Sequence, residues 1–554
     1  MPAFEEGKQR ERLSQLRRKE EEDTVKLLAE KYRIPYADLS AVPINVDALA
    51  LVREADARSG ELAVIQKAGR RLEIGVRNPE ESKAKTVLDE LRRQRYEPDL
   101  FLVSRASLEK AWTAYANVAR RARAITGEVE VSAERLAEFR AQVNALPDIA
   151  SLLKGVESKR ATDILEIILA GALQVDASDI HLEPQAASVR TRYRLDGVLA
   201  DVAVLPAASY KFILSRIKLI SEMKLNIQSR GQDGRFTIRA EGQEMEVRSS
   251  TLPGPYGENI VLRILNPKAI AIGFEGLGMP PVTERAMARE LLKPNGMILT
   301  TGPTGSGKTT TLYTFIREAH QPGVKIITLE DPIEYRLAGV EQTQVDPSSG
   351  YDFASGLRSI LRQDPDVILV GEIRDLETAS TAMHAALTGH LVFSTLHTND
   401  AAGTIPRLLD LGVDPAIMAP AINVVMAQRL VRRLCPKCRQ EYPATKDEGQ
   451  RLSQEIEALP AGIEKPERKE PLMLWKAVGC PECNGTGYRG RIGVFEIILV
   501  DDALEKLVFQ RPSAVDIKNA AREQGQITMR QDGILKVLAG ITDLAEVERV
   551  VGTG

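Results

Sequence analysis

The sequence predicts an α/β protein whose main domain contains a parallel sheet, and three observations support this prediction. Short apolar runs alternate with helical patterns along most of the chain. Several of these runs are apolar throughout, as expected of strands that helices cover on both faces of a parallel sheet. The same runs end in charged or glycine-rich segments. Polar groups therefore lie at the carboxyl edge of the predicted sheet, where such folds bind ligands.

The composition is that of an ordinary globular protein. The chain has 554 residues, of which 43% are hydrophobic and 27% charged, and its formal net charge is −3. Its length predicts about three or four domains, and its charge argues against a nucleic-acid binder. The N-terminus is charge-dense rather than a secretory signal, and no apolar run approaches ~18 residues. We therefore expect a cytoplasmic protein that contacts a membrane only through partners.

Composition and periodicity divide the chain into eight predicted segments. The N-terminal part mixes helical periodicity with strand-like runs such as Arg71–Val76, and a charged helical stretch follows, in which Pro147 is expected to break the helix. The segments are a charged tail (1–23), an N-terminal α/β domain (24–118), a helical linker (119–155), a second α/β unit (156–272), a hinge (273–281), a third α/β domain (282–434), a cysteine-bearing insertion (435–498) and a helical tail (499–554).

A phosphate-binding loop is predicted between the apolar run Met297–Thr301 and a helical pattern that reaches about His320. The loop follows the G-x-x-x-x-G-K-[ST] pattern in the strand–loop–helix setting that it requires. Its glycines let backbone N–H groups surround a phosphate chain, Lys308 can reach the β- and γ-phosphates, and the Thr309 hydroxyl can bind Mg²⁺. A chance glycine-rich turn is the alternative. The predicted ATP-binding residues are Gly302, Pro303, Thr304, Gly305, Ser306, Gly307, Lys308, Thr309 and Thr310.

Three further strand-like runs are bounded by acidic residues or histidines: 324–329 before Glu330 and Asp331, 366–370 before Glu372, and 391–396 between His390 and His397. Transfer of a phosphoryl group to water needs neutralised charge and an oriented water. We predict that Glu372 polarises this water, and that Glu330 and Asp331 act on Mg²⁺-bound waters or help to place the attacking one. One of the histidines is expected to contact the γ-phosphate or to signal to a neighbouring subunit. The alternatives are a structural role for each histidine and a surface carboxylate for Glu372.

In order and spacing, these motifs resemble those of the type II secretion and type IV pilus assembly ATPases, and most of all the pilus-extension ATPase. Gly302–Thr309, Ile327–Tyr335, Leu369–Asp375 and Thr388–Asn399 are similar to the family's Walker A motif, aspartate box, Walker B motif and histidine box. Other segments extend the resemblance over about 156–554: Ala177–Pro184, Tyr193–Gly197, Gln232–Arg235, Ser250–Pro253 and Thr528–Gly533. The implied fold is a RecA-like P-loop ATPase domain with a parallel sheet, preceded by a smaller PAS-like α/β domain and a variable N-terminal α/β domain.

The resemblance also implies an assembly and a place for the nucleotide. It implies a cytoplasmic homohexamer at the inner membrane, beneath a platform protein and with other cytoplasmic assembly components, and no direct contact with nucleic acid. ATP and Mg²⁺ would lie between the 156–272 unit and the phosphate-loop domain. Arg248 and Arg263, with Arg235 as a further candidate, would close onto the phosphates. From the residues alone, each is only an arginine on a strand.

The first domain resembles the family's variable N-terminal domain through Leu28–Leu39. Some relatives bind cyclic di-GMP there through repeated Arg-Leu-Gly-type motifs, which this sequence lacks, so that ligand is not predicted. Docking onto the platform complex is the expected role, and a spacer is the alternative.

The four cysteines form two C-x-x-C pairs, Cys435 with Cys438 and Cys480 with Cys483. Two such pairs complete a tetrahedral Zn²⁺ shell, and four thiolates with no open position indicate a structural site. Free core thiols and a redox pair are the alternatives. In the family, such an element together with an additional N-terminal domain argues against the retraction branch.

The main functional hypothesis is a motor ATPase that drives pilin polymerisation. Export of exoproteins by a type II secretion system is the alternative within the family. A nucleic-acid motor would need a basic, aromatic-rich channel, and aromatic residues make up only 5% of the chain. A nucleotide-gated scaffold with little turnover is a further alternative.

Overall fold

The computed structural model describes residues 20–39, 44–115, 128–131, 133–143, 145–154, 161–240, 242–460, 463, 465 and 471–552. The chain divides into two compact units, Met1–Val129 and Glu130–Gly554. Most of the predicted tail 1–23 lies outside the described residues, as do parts of the predicted linker 119–155 and of the cysteine-bearing segment 435–498. Among the described helices, none has the length and apolar character needed to cross a membrane.

The first unit contains a three-stranded sheet of β1 (Leu62–Ala68), β2 (Arg71–Val76) and β3 (Glu97–Leu102). β1 is antiparallel and β3 parallel to the central β2. Two buried aromatic side chains anchor the end of the helix Arg105–Thr113 and the residues just after it, since Trp112 donates to the carbonyl of Leu62 at 3.0 Å and Tyr115 to that of Val52 at 2.8 Å. Residues 20–32 are helical, and the other helices are Val46–Leu49, Glu54–Ser59, Ser82–Arg93 and Arg105–Thr113.

The second unit begins with a seven-stranded sheet in the order β4-β8-β9-β10-β5-β6-β7. The strands from β8 to β7 in this order pair antiparallel, and buried and polar residues alternate along them, as in a sheet with one covered face. The helix Ala161–Gln174 lies against the covered face, where the Tyr193 hydroxyl donates to the carbonyl of Ile168 at 2.6 Å. The strands are Glu128–Val131 (β4, at which the two units divide), Asp179–Pro184 (β5), Ser188–Leu195 (β6), Val198–Pro206 (β7), Gln232–Ala240 (β8), Gln243–Gly254 (β9) and Gly257–Leu265 (β10).

The third sheet has the order β13-β12-β14-β15-β11-β16-β19, and all of its strands are parallel except β19. Every residue of β11, β12, β14 and β15 is buried, which confirms the predicted parallel sheet. Phe393 and Val392 of β15 point into separate hydrophobic clusters on the two faces. The strands are Gly296–Thr301 (β11), Ile326–Glu330 (β12), Glu341–Gln344 (β13), Val367–Val370 (β14), Leu391–Leu396 (β15), Ile422–Leu434 (β16) and Tyr488–Leu499 (β19).

The structure differs from the sequence-based expectation at the end of the cysteine-bearing segment and at Pro147. β19 lies within the segment predicted as the cysteine-bearing insertion, yet it pairs with β16 in the main sheet from Leu499 back to Tyr488, which lies opposite Leu434. The cysteines therefore lie on an excursion between two neighbouring strands, which also contains the small ladder of β17 (Gln440–Pro443) and β18 (Met473–Lys476). Pro147 does not simply break a helix. It occupies the first turn of a new one, where its missing N–H is no loss.

The remaining helices of the second unit cover the two larger sheets and form the C-terminal tail. The α-helices are Ala133–Gln142, Leu146–Leu153, Ala207–Ile220, Pro281–Leu291, Lys308–Ala319, Phe353–Ile360, Leu376–Leu387, Thr404–Asp410, Pro415–Ala421, Lys446–Glu457, Asp502–Val508, Ala514–Glu523, Met529–Leu538 and Leu544–Val551. The short 3₁₀ helices are Pro267–Ile270, Glu275–Leu277, Pro347–Ser349, Leu361–Gln363 and Pro481–Cys483.

Candidate functional site

The predicted phosphate loop runs from the carboxyl end of β11 into the helix that begins at Lys308. Gly305 and Gly307 have φ angles of 80° and 93°, in the left-handed region that favours glycine. A Cβ atom on Gly302 would lie 2.7 Å from the carbonyl oxygen of Gln428, so this position also needs glycine. Lys308 Nζ donates to the carbonyl oxygens of the first two loop residues at 2.7 and 3.1 Å. The loop is thus a compact turn closed by its own lysine.

Two observations test whether this loop fits a triphosphate. Burial lowers the pKa of Lys308 to about 8, while the Glu372 carboxylate opposes this shift and the Arg429 guanidinium adds to it. The Ser306 hydroxyl is buried and has no hydrogen-bond partner in the part of the chain that the structure describes. A partly uncompensated cation and an orphaned hydroxyl on one loop fit an anionic ligand with several acceptor oxygens.

β16 supplies two residues beside the loop that the sequence analysis did not identify. Gln428 accepts a hydrogen bond from the Thr311 hydroxyl at 2.9 Å, and Arg429 donates to the carbonyl of Asn399 at 3.0 Å. Both follow Ala427, which lies opposite Thr301 at the end of β11. Their position depends on the parallel pairing of β16 with β11, a contact between strands that are far apart in the sequence. A sequence motif alone does not reveal it.

Glu372 follows β14 and lies at the centre of the predicted catalytic group. Its side chain is 15% exposed, and one carboxylate oxygen lies 3.3 Å from Nε2 of His397. The other oxygen forms an ion pair with Arg374, for which the sequence suggested no role. β14 and β15 are neighbouring parallel strands, so their carboxyl ends meet. The structure therefore brings Lys308, Glu372 and His397 together at one edge of the sheet.

Glu330 is the last residue of β12 and Asp331 follows it, but the two acids have different surroundings. Glu330 is buried and accepts hydrogen bonds from the Thr328 hydroxyl at 2.6 Å, from the Gln342 amide at 3.1 Å and from the Tyr313 hydroxyl. Burial and the Glu330 carboxylate raise the pKa of Tyr313, which keeps its hydroxyl a donor. Asp331 is exposed. Glu330 thus ties β12 to β13 and to the phosphate-loop helix, and Asp331 faces solvent at this edge.

The structure does not bring His390 to the phosphate loop. His390 precedes β15 and His397 follows it, so the two histidines lie at opposite edges of the sheet, about 20 Å apart at the usual rise of a strand. His390 Nδ1 lies 2.9 Å from the carbonyl oxygen of Ala385. Of these two histidines, His397 is the one that stands beside Glu372. A role for His390 at a nucleotide would have to involve a neighbouring subunit.

The three predicted arginines lie in one cross-strand row on the antiparallel sheet. Arg235 on β8 is opposite Arg248 on β9, which is opposite Arg263 on β10. Arg248 donates to the carbonyl of Ile333 at 2.6 Å and lies 3.1 Å from the Glu334 carboxylate, in the segment that follows β12. Because like charges directly opposite each other repel, anionic groups stabilise this row, and Arg248 also forms an ion pair with Glu246.

The four cysteines lie together. Sulfur–sulfur distances are 3.8 Å for Cys435–Cys480, 3.8 Å for Cys438–Cys483 and 3.7 Å for Cys480–Cys483, and all four ligand atoms lie within 4.8 Å of one another. Tetrahedral Zn²⁺ with bonds of about 2.3 Å places its sulfurs about 3.8 Å apart. Burial raises the pKa values of the Cys438 and Cys480 thiols, whereas for Cys483 the backbone N–H donors of Cys480 and Gly487 outweigh burial and bring the pKa to about 7. The cluster therefore fits a structural zinc ion.

Comparison with known proteins adds a family match and named relatives. Residues 156–549, more than half of the chain, match the family described as Type II/IV secretion system protein, and residues 32–122 match the MshEN domain. Type II secretion system ATPase E of Vibrio cholerae is 41% identical over 413 residues, which cover 74% of this chain and 80% of that protein. Type IV pilus assembly ATPase PilB of Myxococcus xanthus is 35% identical over 531 residues, which cover 95% of this chain and 91% of that protein.

A solved structure shares the fold. The ATPase DotB of Legionella pneumophila superposes with a TM-score of 0.50 at 22% identity, over 70% of this chain and 95% of that chain. At this identity the likeness concerns the architecture alone.

Proposed function

The chain belongs to the type II/IV secretion system protein family and is one of its ATPases, and on this premise we propose that it is a hexameric motor that powers type IV pilus assembly. The observation that carries the choice is coverage. The pilus assembly ATPase aligns with 95% of the chain, whereas the type II secretion ATPase aligns with 74%. The N-terminal unit is thus part of the likeness to the pilus protein.

A type II secretion ATPase is the second candidate, and sequence identity favours it. Over the shared part of the chain, the type II relative is 41% identical, against 35% for the pilus relative over its longer alignment. Residues 156–549 match a single family model described as Type II/IV secretion system protein, so this part of the chain does not separate the two machines. The distinction therefore rests on the partners that the N-terminal unit meets.

The proposed ATP site is the phosphate loop with the polar ends of the neighbouring strands. Loop N–H groups, the Ser306 hydroxyl and Lys308 bind the phosphates, and the exposed Thr309 hydroxyl would hold Mg²⁺, which neutralises phosphate charge when bound. Binding would draw Lys308 away from the loop carbonyls that it contacts in this structure. The loop is therefore poised to exchange internal hydrogen bonds for bonds to phosphate.

Hydrolysis is assigned to the cluster around Glu372. The Glu372 carboxylate accepts a hydrogen bond from the attacking water and attracts its proton. His397 and Arg374 fix the orientation of this carboxylate. Asp331, at the neighbouring strand end, is the acid available to the waters of a bound metal. Glu330 is proposed to act indirectly, because its oxygens already serve Tyr313, Thr328 and Gln342.

The arginine row couples this chemistry to movement. Arg248 already reaches Ile333 and Glu334 beside β12. A triphosphate on the phosphate loop offers Arg248 a stronger anion than Glu334 and offers one to the exposed Arg263, so the antiparallel sheet would close toward the nucleotide and withdraw after hydrolysis. In a ring at the cytoplasmic face of the inner membrane, this motion would act on a platform protein and its associated components.

A strain from which the gene for this chain is deleted tests the assignment. The parent gene should restore surface pili, counted by electron microscopy, and the Lys308→Ala variant should not, while exoprotein levels in the medium stay unchanged in all strains. Loss of exoproteins with normal pili would establish the type II secretion alternative. Full activity of Lys308→Ala in both assays would refute the motor.

A further inference from the structure

We propose that Asp179 is a positioning residue that holds the Arg263 guanidinium in place for ATP hydrolysis. This inference deepens the proposed function, because it rests on a role for Arg263 at the triphosphate. Asp179 belongs to the segment Ala177–Pro184, whose motif the sequence analysis noted without assigning a role to this residue. Its position in the sheet supplies that role.

Asp179 extends the arginine row to five residues. It lies opposite Arg263 on β10 and, on its other side, opposite Arg194 on β6. The row across β8, β9, β10, β5 and β6 therefore carries three arginines, one aspartate and one further arginine. Asp179 is the single acid in this row. Arg263 has a like charge on one side, Arg248, and this carboxylate on the other.

The contacts of Asp179 are directional. Its side chain is only 6% exposed, and Oδ1 accepts from Nε of Arg263 at 3.0 Å. Oδ2 lies 3.3 Å from Nε of Arg194 and accepts from the Ser178 hydroxyl at 2.8 Å. A buried carboxylate held by three partners has little freedom to move. It therefore provides a fixed anchor for the arginines on both sides.

Arg263 needs such an anchor. Its side chain is 53% exposed, and a free arginine on an open surface samples many rotamers. The contact with Asp179 uses Nε, the guanidinium nitrogen nearest the backbone, and so orients the group without engaging its terminal NH₂ groups in that bond. The terminal donors are the pair that binds phosphate oxygens in a forked geometry. Asp179 thus sets the direction from which the terminal NH₂ groups of Arg263 can bind an anion.

The same strand offers a matched control. Glu183 lies four residues further along β5 on the same face and forms an ion pair with Arg192, which lies outside the arginine row. Its side chain is 26% exposed. A purely structural role for charge pairs on this sheet predicts that Asp179→Asn and Glu183→Gln affect hydrolysis alike. Positioning predicts that only Asp179→Asn lowers turnover.

The experiment is a double-mutant cycle on the full-length protein, with steady-state ATP hydrolysis and thermal unfolding as readouts. Asp179→Asn should lower kcat about tenfold with KM changed less than about twofold, and Glu183→Gln should leave kcat within about twofold. In the Arg263→Gln background, Asp179→Asn should change kcat by less than about twofold, because the group that it positions is gone. The changes in kcat distinguish a positioning role from a purely structural one, and a change in thermal stability by itself does not.

The outcomes separate the positioning role of Asp179 from the proposed role of Arg263 at the triphosphate. If Arg263→Gln lowers kcat and the effect of Asp179→Asn multiplies with it, the positioning role is wrong and the role of Arg263 stands. If Arg263→Gln hydrolyses ATP at the parent rate, both are wrong. Should Asp179→Asn fail to fold, Ser178→Ala removes one hydrogen bond to Asp179. A loss of about threefold in the parent, absent in the Arg263→Gln background, supports the inference, and an equal loss in both backgrounds overturns it.

Discussion

Lys308 illustrates how its surroundings set the chemistry of one side chain. Burial of its ammonium group lowers its pKa from 10.5 to about 8, although the group donates to two loop carbonyls. A phosphate chain beside it would raise the pKa again. Below pH 8 the lysine is charged with or without a ligand, whereas above pH 8 the free protein must take up a proton to bind.

The affinity for nucleotide should therefore depend on pH on the alkaline side. For a nonhydrolysable ATP analogue with Mg²⁺, we expect Kd to be flat near pH 7 and to rise by up to about tenfold per pH unit above about 8. Lys308→Arg should bind more weakly but lack this alkaline limb, since a guanidinium stays charged. A parent Kd that is constant from pH 7 to 9.5 would contradict the assignment.

Glu372→Gln tests the residue that we assign to the water. The amide keeps the size of the side chain but is a poor base, so kcat for ATP hydrolysis should fall by about 10²-fold or more while the analogue still binds. Glu377→Gln, an exposed carboxylate five residues further on, should leave kcat unchanged. Equal turnover of Glu372→Gln and the parent would remove Glu372 from the mechanism.

At the scale of elements, the buried strands were the most predictable part of the fold. Four strands are buried throughout and mostly apolar, because helices cover both of their faces: β11, β12, β14 and β15. Full burial of a strand therefore shows in the sequence as a short apolar run. β19 was not predicted in the main sheet. Its first half carries arginines and glycines, and its partner β16 is separated from it by the whole cysteine-bearing excursion.

The site was predictable where one strand end carries the chemistry, and not where several elements meet. Glu372 and His397 lie together because neighbouring parallel strands end at one edge, which the sequence pattern implied. The same rule places His390, which precedes β15, at the opposite edge. The burial of Glu330 depends on Tyr313 and Gln342 from other elements, and no local pattern reveals it.

The central strand β15 should be sensitive to loss of volume. Phe393 is fully buried, and its ring centroid lies 6.2 Å from that of Phe315. Phe393→Ala should lower the free energy of unfolding by about 3–5 kcal/mol, measured by chemical denaturation. Phe212 is 68% exposed, and Phe212→Ala should change it by less than about 0.5 kcal/mol. Equal losses would mean that Phe393 is not a core residue.

The cysteine cluster should hold one zinc ion per chain. Elemental analysis of the purified protein should give one zinc, and Cys435→Ser should remove it and lower the unfolding temperature, because a structural metal stabilises the loops that bind it. Lys437→Ala, an exposed non-ligand between two of the cysteines, should keep both properties of the parent. A parent without bound zinc would refute the metal site.

At the scale of the whole molecule, the proposed ring makes a prediction about mass. Native mass spectrometry with Mg²⁺ and an ATP analogue should give an assembly of six chains of 60.9 kDa each. Single-stranded DNA should change the hydrolysis rate by less than about twofold, since a nucleic-acid motor needs a basic, aromatic-rich channel. Strong stimulation by DNA, or a stable monomer under these conditions, would contradict the motor that we propose.

The metal-binding excursion leaves the main sheet at Leu434 and returns at Tyr488, two residues that face each other across one ladder. An outgrowth with adjacent ends can be lengthened, shortened or exchanged while the strands on either side keep their register. During evolution, this corner of the enzyme is therefore free to acquire new attachments without disturbing the machinery that cleaves ATP. Diversity among related motors should accumulate at such a corner rather than among the strands beneath the nucleotide.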